Sequence, residues 1–149
     1  MPQSLSKVYL HIVFSTKDRK PAISKKAKPQ LQACLIELAA NSLGTFTEEI
    51  FANPDHIHWN CVPPQTLTIA QLVQKVKILI SSKMKEIAHL DFARQKGYGA
   101  FSVSQSKVDV VKKYIQNQEE HHQKLSFQNE YRRFLQEYEI EFDEKYVWD

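Results

Sequence analysis

A chain of 149 residues with 42% hydrophobic and 25% charged residues carries enough apolar material to bury a core without disulfide or metal staples, which excludes a disordered chain. Its longest apolar runs fall well short of the roughly 20 residues that cross a bilayer, which argues against membrane insertion, and no membrane partner is expected. The net charge of +3 is uneven, with 16 Lys/Arg against 8 Asp/Glu in residues 1–113 and 4 against 9 in residues 114–149, so the body suits a polyanion and the end repels one.

In chain order, Val8 to Thr16 (VYLHIVFST) is rich in β-branched and aromatic residues and predicts a buried strand, followed by a basic turn, KDRKP, at Lys17 to Pro21. Leu31, Leu35, Leu38 and Ala39 have helical spacing within Lys25 to Asn41. Phe46 to Ala52 and His56 to Val62 read as a hairpin, because Asn53-Pro54-Asp55 between them favours a tight reversal. Thr68 to Ile87 places Ile69, Leu72, Val73, Val76, Leu79, Ile80 and Ile87 on one helical stripe. A Gly97-Tyr98-Gly99 turn leads into a short strand, Ala100 to Val103. The order β-α-β-β-α-β predicts an α+β fold of the ferredoxin-like split βαβ type. One further helix is expected from Ser106 to about Lys124, and Phe127, Tyr131, Phe134, Leu135 and Tyr138 give the tail an amphipathic helix. With no repeat or long linker, residues 1–149 are expected to form one domain, with a core over about 5–124 and an acidic, aromatic tail over 125–149.

Alternate strand residues share a face, so His56, His58 and Asn60 point one way and Ile57, Trp59 and Cys61 the other. Two imidazoles on one side of a rigid strand can chelate a divalent ion or contact phosphate, although an isolated H-x-H is more commonly two partly exposed histidines. Tyr114 and Gln118 lie four apart on the predicted helix, hence on one face, just after Lys112 and Lys113. Such a pair is commonly a packing tyrosine beside a solvated glutamine. His121 and His122 lie three and four residues after Gln118, where either can assist a metal or DNA, although a solvated helix end is the commoner outcome; Glu119 and Glu120 can complement the site but are expected on a solvated face. Cys34 and Cys61 form no C-x-x-C motif, and Cys61 points away from the histidines, so zinc is disfavoured. Met1 to Leu10 shows no basic flank before a long apolar run, and a cytoplasmic location is expected.

Taken together, YLHIVFSTKDR, PDHIHW and VKKYIQNQ resemble the single-tyrosine HUH transposases of the smallest bacterial insertion sequences, the insertion sequence 200-like family, over about residues 5–124. The resemblance implies that His56 and His58 are metal ligands, that Gln118 is the third, and that Tyr114 is the catalytic nucleophile. It also implies Mg²⁺ or Mn²⁺ as cofactor, single-stranded DNA with hairpins as partner, a 5′-phosphotyrosine intermediate, and a homodimer whose sites can be completed by the other subunit's tyrosine helix. Trp59-Asn60 and the acidic tail depart from the family pattern. Lys17, Arg19, Lys20, Lys75, Lys77, Lys83, Lys85, Lys112 and Lys113 are the candidate phosphate contacts. Two other readings stay open: a domesticated relative that processes chromosomal hairpin repeats, and a non-catalytic nucleic-acid-binding ferredoxin-like module.

Overall fold

Strand β1 (Tyr9–Ser15) is buried along its whole length, because both faces of the sheet it enters are covered. Leu10, Ile12 and Phe14 join one core, whereas Tyr9 and Val13 join clusters on the other face. The computed structural model describes residues 2–88 and 97–149. Helix α1 (Lys28–Leu43) opens with Pro29 in its first turn and closes at Gly44, whose φ of 57° is the left-handed conformation that glycine adopts at a helix end. Strands β2 (Phe46–Ala52) and β3 (His56–Val62) pair as the expected hairpin, with the Asn53 N–H donating to the His56 carbonyl at 2.8 Å.

Helix α2 (Ile69–Ala88) starts from a reciprocal cap, in which Gln71 N–H donates to Thr68 Oγ1 at 3.1 Å and Thr68 N–H donates to Gln71 Oε1 at 3.0 Å. Leu72, Val73, Val76, Ile80 and Met84 bury its apolar stripe; the Ile87 side chain, expected on that stripe, lies outside what is described. Strand β4 (Gly99–Val103) completes a four-stranded antiparallel sheet of order β2-β3-β1-β4. Each βαβ crossover therefore spans one intervening strand. Helices α1 and α2 pack together over the face that carries Ile57, Trp59 and Cys61.

The second face is covered by the residues beyond β4. Here one expectation is corrected: the segment Ser106 to Lys124 is not one helix. After a 3-10 turn at Gln105–Lys107, α3 (Val108–Gln116) stops at Asn117, whose ψ of 20° is not helical, and α4 (Gln118–Lys124) begins directly after it. Asparagine favours such breaks because its short amide suits non-helical backbone better than a helix interior. Helix α5 (Phe127–Glu137) is capped by Ser126, whose hydroxyl accepts from Asn129 N–H. Phe127, Tyr131 and Leu135, one turn apart, pack on Val13 and Phe101. The tail is thus part of the folded body. Arg132 clamps Glu144 with two hydrogen bonds of 2.7 and 3.0 Å, and the Trp148 ring meets Phe127 and Tyr131 edge-on. No helix among the described residues is long and apolar enough to cross a membrane.

Candidate active site

Alternation along β3 turns His56, His58 and Asn60 toward the face covered by α3, α4 and α5. Neither histidine is partly exposed: His56 is 1% and His58 0% accessible. The hairpin corner fixes the first ring, since Asp55 Oδ1 accepts from His56 Nδ1 at 2.7 Å. Asn53 Nδ2 lies 3.1 Å from His56 Nε2 and donates to Gln118 Oε1 at 3.2 Å. The second ring is held from β1, where His11 Nε2 lies 2.8 Å from His58 Nδ1.

Two side chains from beyond the tyrosine helix enter this pair. Glu130, from α5, brings Oε1 to 2.8 Å from His58 Nε2, 3.6 Å from His56 Nε2 and 3.4 Å from His122 Nε2. His122, from α4, lies with its Nε2 3.0 Å from His56 Nε2 and 2.9 Å from Gln118 Oε1. The solvated face expected for Glu119 and Glu120 is found, both being exposed, but the solvated helix end expected for His122 is corrected, because the break at Asn117 turns it inward. His121 stacks on the Tyr114 ring with centroids 4.6 Å apart. Ligand atoms of His56, His58, His122 and Glu130 all lie within 4.8 Å of one another.

Tyr114 stands in the last turn of α3, and its hydroxyl donates to Glu130 Oε2. Gln118 Nε2 donates to the same oxygen at 3.2 Å. The four residues singled out from the sequence, His56, His58, Tyr114 and Gln118, thus meet around one carboxylate that sequence reasoning missed. A signal for it existed: Glu130 lies three after Phe127 and four before Phe134, an acid on the apolar stripe of an amphipathic helix. His122, one turn after Gln118, was within reach of the sequence from that spacing alone.

Charge in the site is set by burial and by Glu130. Burial alone would raise the Glu130 carboxyl, yet hydrogen bonds from His122, His56 and His58 hold it well below the usual carboxylate range. Burial likewise opposes a charge on His56, but Asp55 and Glu130 outweigh it and raise its pKa. Burial dominates at His58, which is lowered to about 4, and at His11, which is lowered further by its neighbour His58. Burial and the Glu130 charge push the Tyr114 phenol upward, against a hydrogen bond from Gln118 and the positive charge of Arg133.

Beside Tyr114 opens a cleft of about 360 Å³ lined by His11, Val110, His121, Arg133 and Phe134 among others. Several of the candidate phosphate contacts lie elsewhere. Lys75, Lys83 and Lys85 ride on α2, across the sheet from the histidines. Lys77 is corrected outright: it is 6% exposed, its ammonium donates to the Gly97 carbonyl at 2.7 Å, and it lies 5.5 Å from the Phe14 ring centre. The basic turn is tied to the hairpin corner through Thr16 N–H and the Asp55 carbonyl, with Lys17 and Lys20 exposed and Arg19 over the Trp148 ring. Lys113 is exposed in the tyrosine helix, and Lys112 lies 3.8 Å from Glu48.

Comparison with known proteins bears on the family and the fold. The family model described as "Transposase IS200 like" matches residues 4–118. Among solved structures, a candidate transposase from Deinococcus radiodurans R1 is similar at a TM-score of 0.60 and 20% identity, covering 79% of this chain and 98% of that one. A REP-associated tyrosine transposase bound to a REP hairpin is similar at a TM-score of 0.57 and 12% identity, covering 82% of this chain and 74% of that one. At these identities the likeness is one of fold. No curated protein sequence matches the chain. Because the family match spans more than two thirds of the residues, the chain belongs to the IS200-like transposase family.

Proposed function

We propose that this protein cleaves and rejoins single-stranded DNA at stem-loop ends through a covalent bond to Tyr114, with Mg²⁺ or Mn²⁺ held at the histidine pair. The observation that carries this reading is the meeting of Tyr114 with His56, His58 and Gln118 around Glu130. Imidazole and carboxylate donors this close together suit a divalent cation, and the imidazoles favour Mn²⁺ over Mg²⁺. When bound, the ion supplies a Lewis acid that polarises a phosphodiester oxygen.

The remaining chemistry belongs to the chain. Tyr114 Oη forms the new bond to phosphorus, the 3′ oxygen leaves, and the phenolic proton faces the Glu130 carboxylate, the base in position to receive it. The tyrosine ester keeps the energy of the broken bond, so a second DNA end can displace it without ATP. Arg133 at the cleft wall and Lys113 on the tyrosine helix supply positive charge for a phosphate entering beside Tyr114. The hairpin bound by one of the similar structures supports a stem-loop as the substrate form. Unstacked bases at such a tip suit the aromatic wall of the cleft.

The nucleophile and both histidines come from one chain, which supports cleavage within a subunit; the homodimer implied by the family and a cytoplasmic setting remain part of the proposal. The test is to incubate a labelled single-stranded stem-loop with the protein and Mn²⁺ under denaturing readout. A covalent protein-DNA band that disappears with chelator is expected. Cleavage with no such band would assign the reaction to an activated water and overturn the proposal.

A further inference from the structure

In a neutral imidazole one ring nitrogen carries a hydrogen and the other a lone pair. His122 Nδ1 lies 2.9 Å from the Leu125 carbonyl oxygen, which can only accept, so that nitrogen carries the hydrogen. His56 Nδ1 faces the Asp55 carboxylate and carries its hydrogen too. The two Nε2 atoms then face each other across 3.0 Å, with Glu130 Oε1 only 3.4 and 3.6 Å away, Gln118 Oε1 2.9 Å from His122 Nε2, and Asn53 Nδ2 the one neutral donor, 3.1 Å from His56 Nε2. Electron-rich atoms this close repel unless positive charge lies among them. One proton bridges two of them; a divalent cation serves them all, and His58 Nε2, 2.8 Å from the same oxygen, adds a third imidazole.

The outer partners agree. A ring that ligates a metal characteristically donates its other N–H to a carboxylate or a backbone carbonyl, as His56 does to Asp55 and His122 to Leu125. His58 Nδ1 lies 2.8 Å from His11 Nε2, a partner that accepts once His58 Nε2 is turned to an ion. Gln118 is held from both ends: its Oε1 accepts from Asn53 and lies 2.9 Å from His122 Nε2, and its Nε2 donates to Glu130 Oε2. A neutral amide is also a weaker donor to a cation than an imidazole or a carboxylate.

We infer that His122 and Glu130 complete the cation site with His56 and His58, and that Gln118 is a positioning residue that orients Glu130. This rests on the cation-binding part of the proposed function. It makes helix α5 a ligand-bearing element, so the acidic tail is bound into the site through one of its own carboxylates, whose second oxygen holds the Tyr114 hydroxyl. Three imidazoles and a carboxylate also favour a transition ion over Mg²⁺.

The test uses the full chain, stripped with chelator, and Co²⁺ alone as probe. Affinity is read from the visible absorption of the bound ion, and ligand identity from hyperfine-shifted, exchangeable imidazole N–H resonances. Glu130→Gln and His122→Gln are each expected to weaken binding by about 100-fold or more, and Gln118→Ala by less than about tenfold. Wild type should show three shifted imidazole N–H signals, and His122→Gln two. Far-ultraviolet circular dichroism checks folding; His122, at 18% side-chain exposure, is the more tolerant position and carries the test if Glu130→Gln fails to fold. Two signals in wild type, or loss of Co²⁺ by Gln118→Ala while the other two variants retain it, would overturn the assignment and leave the proposed function intact. No Co²⁺ binding by wild type would remove both.

Discussion

The Tyr114 hydroxyl donates to one oxygen of Glu130 while the other oxygen of that carboxylate lies 2.8 Å from His58 Nε2. The side chain that joins the tyrosine to the histidine pair therefore comes from α5, beyond the residues 4–118 that match the family. A single charge governs both groups. It raises the phenol and draws hydrogen bonds from three imidazoles.

Replacing that charge tests the link. In Glu130→Gln the burial of Tyr114 persists but the anion beside it is gone, so the phenol should titrate at lower pH than in wild type. Carbon-13 labelling at tyrosine Cζ resolves the six tyrosines by NMR, and one resonance should move. The same variant should lose about 1.5–3 kcal/mol of stability in urea unfolding, the worth of a buried charge-assisted hydrogen bond. An unchanged set of tyrosine titrations would break the proposed coupling.

Acid should destabilise the metal-free protein well above the carboxylate range. His58 and His11 have folded pKa values below the ordinary 6.5, His58 at about 4, so the unfolded chain takes up protons that the folded chain refuses. Their contribution is complete above pH 6.5 and is lost as pH falls toward 4, by about 1.4 kcal/mol per pH unit for each histidine. His56 acts oppositely, since its raised pKa adds stability below 6.5 that fades as pH rises. Glu130, with a lowered pKa, adds stability above 4.5 that is lost below it. Urea unfolding between pH 7.5 and 4.5 should follow the two neutral histidines, with a shallower slope in His58→Gln; stability flat over this range would contradict their burial as neutral rings.

The strands, the hairpin and the histidine face were legible because they are local. Strand alternation put Ile57, Trp59 and Cys61 into the core and His56 and His58 opposite them, and Asn53-Pro54-Asp55 made the turn. The break at Asn117 was hidden, since the apolar spacing through Val108, Val111 and Ile115 continues smoothly into Gln118. Glu130 was hidden for a different reason. Whether an acid on an amphipathic helix meets water or three imidazoles depends on where that helix docks, and docking is decided by Phe127, Tyr131 and Leu135 against Val13 and Phe101, residues far apart in sequence. Likewise the charge of Lys77 is visible in sequence, but its burial against Gly97 and Phe14 arises only when α2 packs on the sheet.

Position should separate the lysines in DNA binding. Lys113→Ala and Arg133→Ala should each reduce the slope of log affinity against log salt for a single-stranded stem-loop by roughly 0.7 to 0.9, the value of one phosphate contact. Lys75→Ala, on the far side of the sheet, should leave it unchanged. Lys77→Met should lower thermal stability without altering the slope, because its ammonium is committed to the Gly97 carbonyl. If Lys75 carries the salt dependence and Lys113 and Arg133 do not, the DNA path runs over α2 and the cleft beside Tyr114 is not the entrance.

Among six tyrosines, Tyr114 is the one expected to become attached to the 5′ side of the cut. Tyr131 is buried in the α5 contact, its phenol raised to about 12 by burial. Tyr138 donates to the Ser102 carbonyl, and Tyr9 is buried in a cluster with Val103 and Val108. Tyr114 alone among the described tyrosines shares a carboxylate with the histidine pair, and it lines the open cleft where Arg133 waits. Tyr114→Phe removes one oxygen and keeps the ring that stacks on His121, so folding and stem-loop affinity should stay within about twofold of wild type while cleavage and adduct vanish. Peptide mapping of the shifted band from wild type should return the segment containing Tyr114. An adduct on another tyrosine, or one that survives in Tyr114→Phe, would place the nucleophile elsewhere and leave the Tyr114 contact with Glu130 as packing.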